Sequence, residues 1–260
     1  MQAWAIDLDG VIWRGADPVP GSAAAVARLR ATGAPIAFVT NSSARTPAQV
    51  AAKLADCGIP DAEPLVVTSA MAAAGLIDPG SRVLVIGGDG ARDAVERRGA
   101  TVVGWDGLDA ESATAVTADA VLVGITPAFD YVALTAAMST IGAGARFVAT
   151  NDDASFPIHG GRFLPGAGSV VAAVATATGV APRIAGKPHE PIAAMVVERL
   201  GGDGIAVGDR PETDGLVAAA LGYRFGLVLT GVATADTVPT DPTPDLVAPD
   251  LASLVDRVLS

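Results

Sequence analysis

Short apolar runs alternate with Ala-rich helical stretches along almost the whole 260-residue chain, and this alternation narrows its fold more than any other feature. "WAID" (Trp4 to Asp7) has the pattern of a buried strand. "GSAAAVARLRATG" follows as a helix closed by Gly33, and "PIAFVT" is a second strand. "TPAQVAAKLADCG" is a helix with Thr46 as N-cap and Pro47 at its first position, and "LVVT" and "SAMAAAGLI" repeat the unit. Successive βα units predict a mainly parallel sheet with helices on both faces, an α/β fold.

The series is interrupted twice. "DPGSRVLVIGGDG" (Asp78 to Gly90) is rich in turn residues, and so is "VAPRIAGKPHEP" (Val180 to Pro191). Between them a second series of strands and helices runs through "AVLVGI", "YVALTAAMSTIGAG", "RFVATN" and "SVVAAVATATG". After them βα units resume at "PIAAMVVERLGG", "GIAVGD", "TDGLVAAALG" and "RFGLVLT". The tail "PTDPTPDLVAPD" predicts an extended surface segment, followed by a final helix, "LASLVDRVL". No repeat of 20 to 50 residues is evident in the sequence.

Charge and cysteine usage remove several function classes. Half the residues are hydrophobic and 17% are charged, so the chain can bury a substantial core. A net charge of -11 repels nucleic acid and anionic lipid, so neither is an expected partner. A phosphate ligand would be repelled too, and would need a local cation. Cys57 is the single cysteine and no Cys/His cluster suggests zinc; it reads as a buried structural thiol. No apolar run approaches the roughly 18 residues of a membrane span. Early aspartates spoil any signal peptide, so the expected compartment is the cytoplasm.

In open parallel sheets, ligands gather beyond the C-terminal strand ends. The polar residues there are Asp7 and Asp9 after "WAI", Thr40 and Asn41 after "IAFV", and Asp209 after "GIAVG", with Lys187 in the loop "AGKPHEP". Carboxylates gathered on one edge need a cation, and a site of few oxygen ligands suits Mg²⁺. Rival phosphate devices fail. "GKP" lacks the flanking residues of a P-loop, "GGDG" and "GAGS" do not spell GxGxxG, and no G-x-S-x-G occurs. His159 in "FPIHGG" reads as a loop residue, and His189 neighbours Lys187.

These motifs carry a family resemblance. "DLDGVIWRG" resembles the first motif of the haloacid dehalogenase-like (HAD) hydrolases, DxDG[TV]; "FVTNSS" resembles the second, "GKP" the lysine motif and "GDRPETD" the metal-binding fourth. Their order agrees across nearly the whole chain. The "IW-x-G" after the first motif, the "TN" of the second and "GDR-x-x-TD" are similar to the NagD and para-nitrophenylphosphatase branch, as are "ATNDDASFP" and "LPGAGS". One departure is Gly215, where the pattern has an aliphatic residue.

The resemblance implies a Rossmannoid parallel-sheet core, residues 1–80 and 184–260, with an inserted α/β cap, residues 81–183. It implies Mg²⁺-dependent hydrolysis of a small-molecule phosphomonoester through an aspartyl-phosphate. Asp7 would be the nucleophile and Asp9 the acid/base that protonates the leaving group and then deprotonates water. Mg²⁺ would be held by Asp7, the Asp9 carbonyl and Asp209, with Asp214 steadying the shell from behind. Thr40, Asn41 and Lys187 would bind the phosphoryl group. In the cap, Asn151, Asp152 and Asp153 are the candidates to face the leaving group. Pairing of two copies through the cap is expected for the branch. Two rival readings keep the same residues: a phosphotransferase or mutase that passes the phosphoryl group to a hydroxyl, and a sugar-phosphate binding protein without turnover.

Overall fold

The computed structural model describes residues 2–158, 162–238 and 240–260. The chain divides into two units: Met1–Thr40, Pro47–Val67 and Lys187–Ser260 form the first, and Asn41–Thr46 with Thr68–Gly186 the second.

Among the described residues the sheet of the first unit has six strands. From edge to edge they are Leu246–Ala248, Arg224–Val228, Gly204–Gly208, Ala3–Ile6, Ile36–Thr40 and Val66–Thr68. Ala3–Ile6 lies centrally, parallel to Gly204–Gly208 on one side and to Ile36–Thr40 on the other. All four of its residues are buried, as a parallel strand covered on both faces requires. Trp4, Ile6, Leu8, Phe38, Leu54 and Val207 belong to the core around it. The final helix, Leu251–Leu259, starts at an Asp250 cap that accepts the Ser253 N–H at 2.7 Å. It adds Leu251, Leu254 and Val255 to that core and pairs Asp256 with Arg28.

Among the described residues the second unit carries a five-stranded parallel sheet in the order Arg183–Ile184, Arg146–Ala149, Ala120–Val123, Arg82–Ile86, Thr101–Val103. Its own core gathers Leu84, Ile86, Val121, Val123, Phe147 and Val174. A hairpin of Ser155–Ile158 against Arg162–Pro165 also belongs to this unit; the "HGG" between its strands is the Gly-Gly turn signal that the strand reading above leaves unused. The α/β fold class read from the sequence is thus the observed one, with parallel sheets in both units.

One reading needs correction. The tail is not simply an extended surface segment: Leu246–Ala248 pairs in parallel with Gly226–Val228 and forms the edge of the first sheet. Edge strands tolerate neighbouring prolines because only one side of the backbone is paired, which hides them from pattern reading. Gly215 has a steric reason. A Cβ there would lie 2.6 Å from Pro242 and 2.9 Å from the Phe225 ring, so those side chains fill the space an aliphatic residue would take.

Candidate active site

The first unit assembles its charged residues at the C-terminal edge of its sheet. Asp7 follows the central strand and prolongs its pairing, the Asp7 N–H donating to the Val207 carbonyl at 2.9 Å. Asp209 follows the neighbouring strand. Thr40 ends the strand on the other side and is buried. Beyond Asp209 the chain makes one wide turn, Pro211–Gly215, which returns Asp214 to the edge. Such π-type turns are frequent at functional sites. Asp214 Oδ2 accepts the backbone N–H groups of Asp209 at 3.2 Å and Arg210 at 3.1 Å, so this carboxylate ties its own loop together.

Lys187 lies between two of these carboxylates. Its Nζ donates to Asp7 Oδ1 at 2.5 Å and to Asp214 Oδ1 at 2.6 Å. The ammonium is only 5% exposed. Burial by itself would lower its pKa, but the charges of Asp214 and Asp7 outweigh that and raise it, so Lys187 stays protonated. Burial also pushes the Asp7 carboxyl well above the ordinary range, with Lys187 opposing and Asp214 and Asp209 adding to the rise.

Asp7, Asp209 and Asp214 each present an oxygen, and these lie within 4.8 Å of one another. One ammonium does not balance three carboxylates. Asp209 shows the deficit: its Oδ2 accepts the Val232 N–H at 2.6 Å, while its Oδ1 is buried and has no hydrogen-bond partner among the described residues. Burial, then the charge of Asp214, pushes its pKa up to about 7. An unpaired buried carboxylate oxygen among hard oxygen donors is the environment a divalent cation such as Mg²⁺ relieves, so the residues fit the metal. Gly10 closes over this group. It adopts φ 84, and a Cβ there would run into the Asp209 carboxylate. Its carbonyl accepts the Thr230 hydroxyl at 2.5 Å.

Asp9 stands apart from the three carboxylates. Its side chain is exposed, and its Oδ1 accepts the Trp13 indole N–H at 2.8 Å. Trp13, Thr230 and the Val232 N–H were not singled out from sequence; the "IW" after the first motif was the one available signal, and backbone donors carry none.

Asn41, Asn151, Asp152 and Asp153 lie in the second unit, where Asn41, Asn151 and Asp153 form one polar knot. Asn41 Nδ2 donates to Asp153 Oδ2 at 3.0 Å, and Asn151 Nδ2 donates to the Asn41 carbonyl at 2.7 Å. Asn151 Oδ1 accepts the Asp153 N–H at 3.1 Å, and Ser69 Oγ donates to the same Asn41 carbonyl at 2.6 Å. Asn151 is buried and Asp152 exposed. The loop therefore uses Asn151 and Asp153 to hold the backbone that follows Thr40. His189 stands at the N-cap position of the helix Glu190–Leu200. His159 lies outside the described residues.

The buried triad makes a stability prediction. Lys187→Met leaves two carboxylates facing each other without their cation, and breaking such a buried pair costs about 3–5 kcal/mol. The metal-free melting temperature is expected to fall by roughly 10 °C. Circular dichroism melts in chelator check this; an unchanged midpoint would mean that the ammonium is not a stability partner of the cluster.

Comparison with known proteins identifies the family. The family model for haloacid dehalogenase-like hydrolases matches residues 4–101, and a HAD-hydrolase-like model matches residues 184–254. The chain is 36% identical over 246 residues to the 5'-nucleotidase YutF of Bacillus subtilis, covering 92% of this chain and 91% of that one. The p-nitrophenyl phosphatase from Archaeoglobus fulgidus superposes with a TM-score of 0.86 at 29% identity, covering 98% of each chain. The glycerol phosphate phosphatase Rv1692 from Mycobacterium tuberculosis, solved in complex with magnesium, superposes with a TM-score of 0.84 at 35% identity, covering 97% of this chain and 76% of that one. The chain belongs to the haloacid dehalogenase-like hydrolases. Within them it is a phosphatase of the p-nitrophenyl phosphatase-like branch.

Proposed function

We propose that this phosphatase hydrolyses a small-molecule phosphomonoester with Mg²⁺ as cofactor, through a phosphorylated Asp7. The observation that carries the reading is the buried triad: Lys187 clamped between Asp7 and Asp214, beside an Asp209 oxygen with no partner among the described residues. The names of the relatives, a nucleotidase and phosphatases of p-nitrophenyl and glycerol phosphate, support small phosphate esters as the substrate class.

Asp7 attacks phosphorus and releases the alcohol; water then attacks the same phosphorus and frees Asp7. Lys187 holds Asp7 in orientation and meets the charge of the phosphoryl oxygens. Thr40 supplies a hydroxyl to them, and Asn41 keeps the chain after Thr40 in place. Asp9 gives its proton to the leaving oxygen and takes one back from water. Asp7, Asp209 and the Asp9 carbonyl would hold Mg²⁺, with Asp214 bracing the loop that carries Asp209; the ion supplies charge neutralisation to an anionic substrate. Residues 1–80 and 184–260 serve as the core and residues 81–183 as a cap, through which two copies pair. Among the described residues no helix is long and apolar enough to cross a membrane. We place the enzyme in the cytoplasm, with neither nucleic acid nor membrane as partner.

Within the cap loop, Asn151, Asp152 and Asp153 face the leaving group; Asn151 and Asp153 also take part in the knot, and Asp152 is the exposed member of the three. The test is phosphate release from a panel of small phosphate esters, with and without Mg²⁺ and with added glycerol as acceptor. The expected result is Mg²⁺-dependent release of inorganic phosphate, and for Asp152→Ala a kcat/KM that shifts about 10-fold for some esters and little for para-nitrophenyl phosphate, an effect of one or two lost polar contacts. Phosphate recovered on glycerol instead of water would make the chain a phosphotransferase, and binding without release would make it a sensor.

A further inference from the structure

Trp13 is the part of the first motif that the chemistry above leaves unused. It is 3% exposed and sits where the loop after the central strand folds back on itself. The N–H groups of Val11, Ile12 and Trp13 all donate to the Leu8 carbonyl, at 3.3, 2.8 and 3.2 Å, and the Gly10 N–H donates to the Trp13 carbonyl at 2.7 Å. This closure directs the indole N–H at Asp9 Oδ1, 2.8 Å away.

A buried indole N–H usually finds some acceptor, so the contact alone could be routine satisfaction. Two observations set it apart. Among the described residues the buried Trp105 Nε1 has no partner, so pairing is not enforced at every tryptophan. And Trp13 is itself acted on: Lys53 Nζ lies 3.8 Å from its ring centroid, held there by a 2.9 Å hydrogen bond to the Gly15 carbonyl. A cation over the ring face withdraws π density and makes the N–H a stronger donor.

We propose that Trp13 is a positioning residue for proton transfer: it fixes the Asp9 carboxyl through Oδ1, so that Oδ2 carries the mobile proton. This rests on the proposed acid/base role of Asp9. In the first step the proton on Oδ2 passes to the ester oxygen as its bond to phosphorus breaks and the Asp7–phosphorus bond forms. In the second, Oδ2 takes a proton from water as the water oxygen bonds to phosphorus and Asp7 leaves. Asp9 ends protonated, as it began. Without the indole N–H the carboxyl swings about its side-chain torsions and spends less time aligned with the leaving oxygen.

The test separates leaving groups by their need for a proton. A nitrophenolate departs without one, whereas an alkoxide does not. With kcat/KM as readout, which covers the chemistry up to alcohol release, Trp13→Phe is expected to lower the value for glycerol 3-phosphate by about 10- to 100-fold and to leave para-nitrophenyl phosphate within about 3-fold, a share of what a general acid contributes. Lys53→Met, at a half-buried position on the helix Pro47–Asp56, is expected to show the same split at about 3-fold, and decides the matter if the Phe variant does not fold. Equal losses on both substrates would give Trp13 a merely structural role and overturn the proposal. Asp9→Asn separates the two layers of the argument. If it shows no split, the acid/base reading of Asp9 falls; if it shows the split while Trp13→Phe and Lys53→Met do not, the positioning role alone falls.

Discussion

Asp7→Asn is expected to abolish turnover while leaving a folded protein. The amide is nearly isosteric with the carboxylate, but it is a poor nucleophile and cannot form the covalent intermediate. Loss of that route should reduce kcat by at least about 1,000-fold, roughly 4 kcal/mol of barrier. The structure adds a control on the fold. Burial holds the Asp7 carboxyl well above its ordinary pKa, meaning that the folded state disfavours its charge. Removing that charge therefore leaves the metal-free melting temperature unchanged or raises it. Lys187 keeps Asp214 as its partner at 2.6 Å. Borohydride reduction during turnover provides the chemical check, because it converts an aspartyl-phosphate to homoserine. Homoserine at position 7 is expected in the wild type and none in Asp7→Asn. Turnover within about tenfold of wild type would remove Asp7 from the nucleophile's role.

How far the site was legible from sequence follows from topology. Asp7, Thr40 and Asp209 each sit just after an apolar run, and a parallel sheet brings such positions to one edge. The strand pattern alone therefore brought together residues as distant as Asp7 and Asp209. Lys187 lies in a loop, and its place depended on the motif. Three things were hidden, each for a physical reason. The Asp9–Trp13 contact depends on how the loop closes around Gly10, a backbone conformation that no hydrophobic period encodes. The Asn41–Asp153 pair joins residues 112 apart, and nothing in either segment announces the other. It extends the reading of the "TNDD" loop: of three residues expected to face a ligand, Asn151 and Asp153 also hold Asn41. The edge strand Leu246–Ala248 was hidden by surrounding Pro and Asp residues. Unit boundaries were equally hard to place. The second unit includes Asn41–Thr46 and begins its long segment at Thr68, before the turn-rich stretch near Ser81 that composition marks.

Metal removal should have the second large effect, and it can be measured without activity. Asp209 Oδ1 is buried without a partner among the described residues, and its carboxyl is pushed up to about 7 by burial and by Asp214. The metal-free site is thus a point of stored repulsion that a bound cation relieves. At a Mg²⁺ concentration about 100 times its dissociation constant, binding to the folded state adds about 2.7 kcal/mol. For a chain of this size that is a rise of roughly 5–10 °C in melting temperature. Asp209→Asn reverses both terms: the neutral amide removes a buried charge, so the metal-free melting temperature rises, and it withdraws a ligand, so the Mg²⁺-induced rise disappears. The same logic sets the activity expectation. Chelator should reduce phosphate release by at least about 100-fold, Mg²⁺ should restore it, and Ca²⁺ should restore it poorly because its larger, looser shell misplaces the reacting groups. Thermal unfolding of wild type and Asp209→Asn, each with chelator and with Mg²⁺, gives four midpoints that decide the point. An Asp209→Asn protein that keeps the wild-type Mg²⁺ shift would show that the ion is held elsewhere.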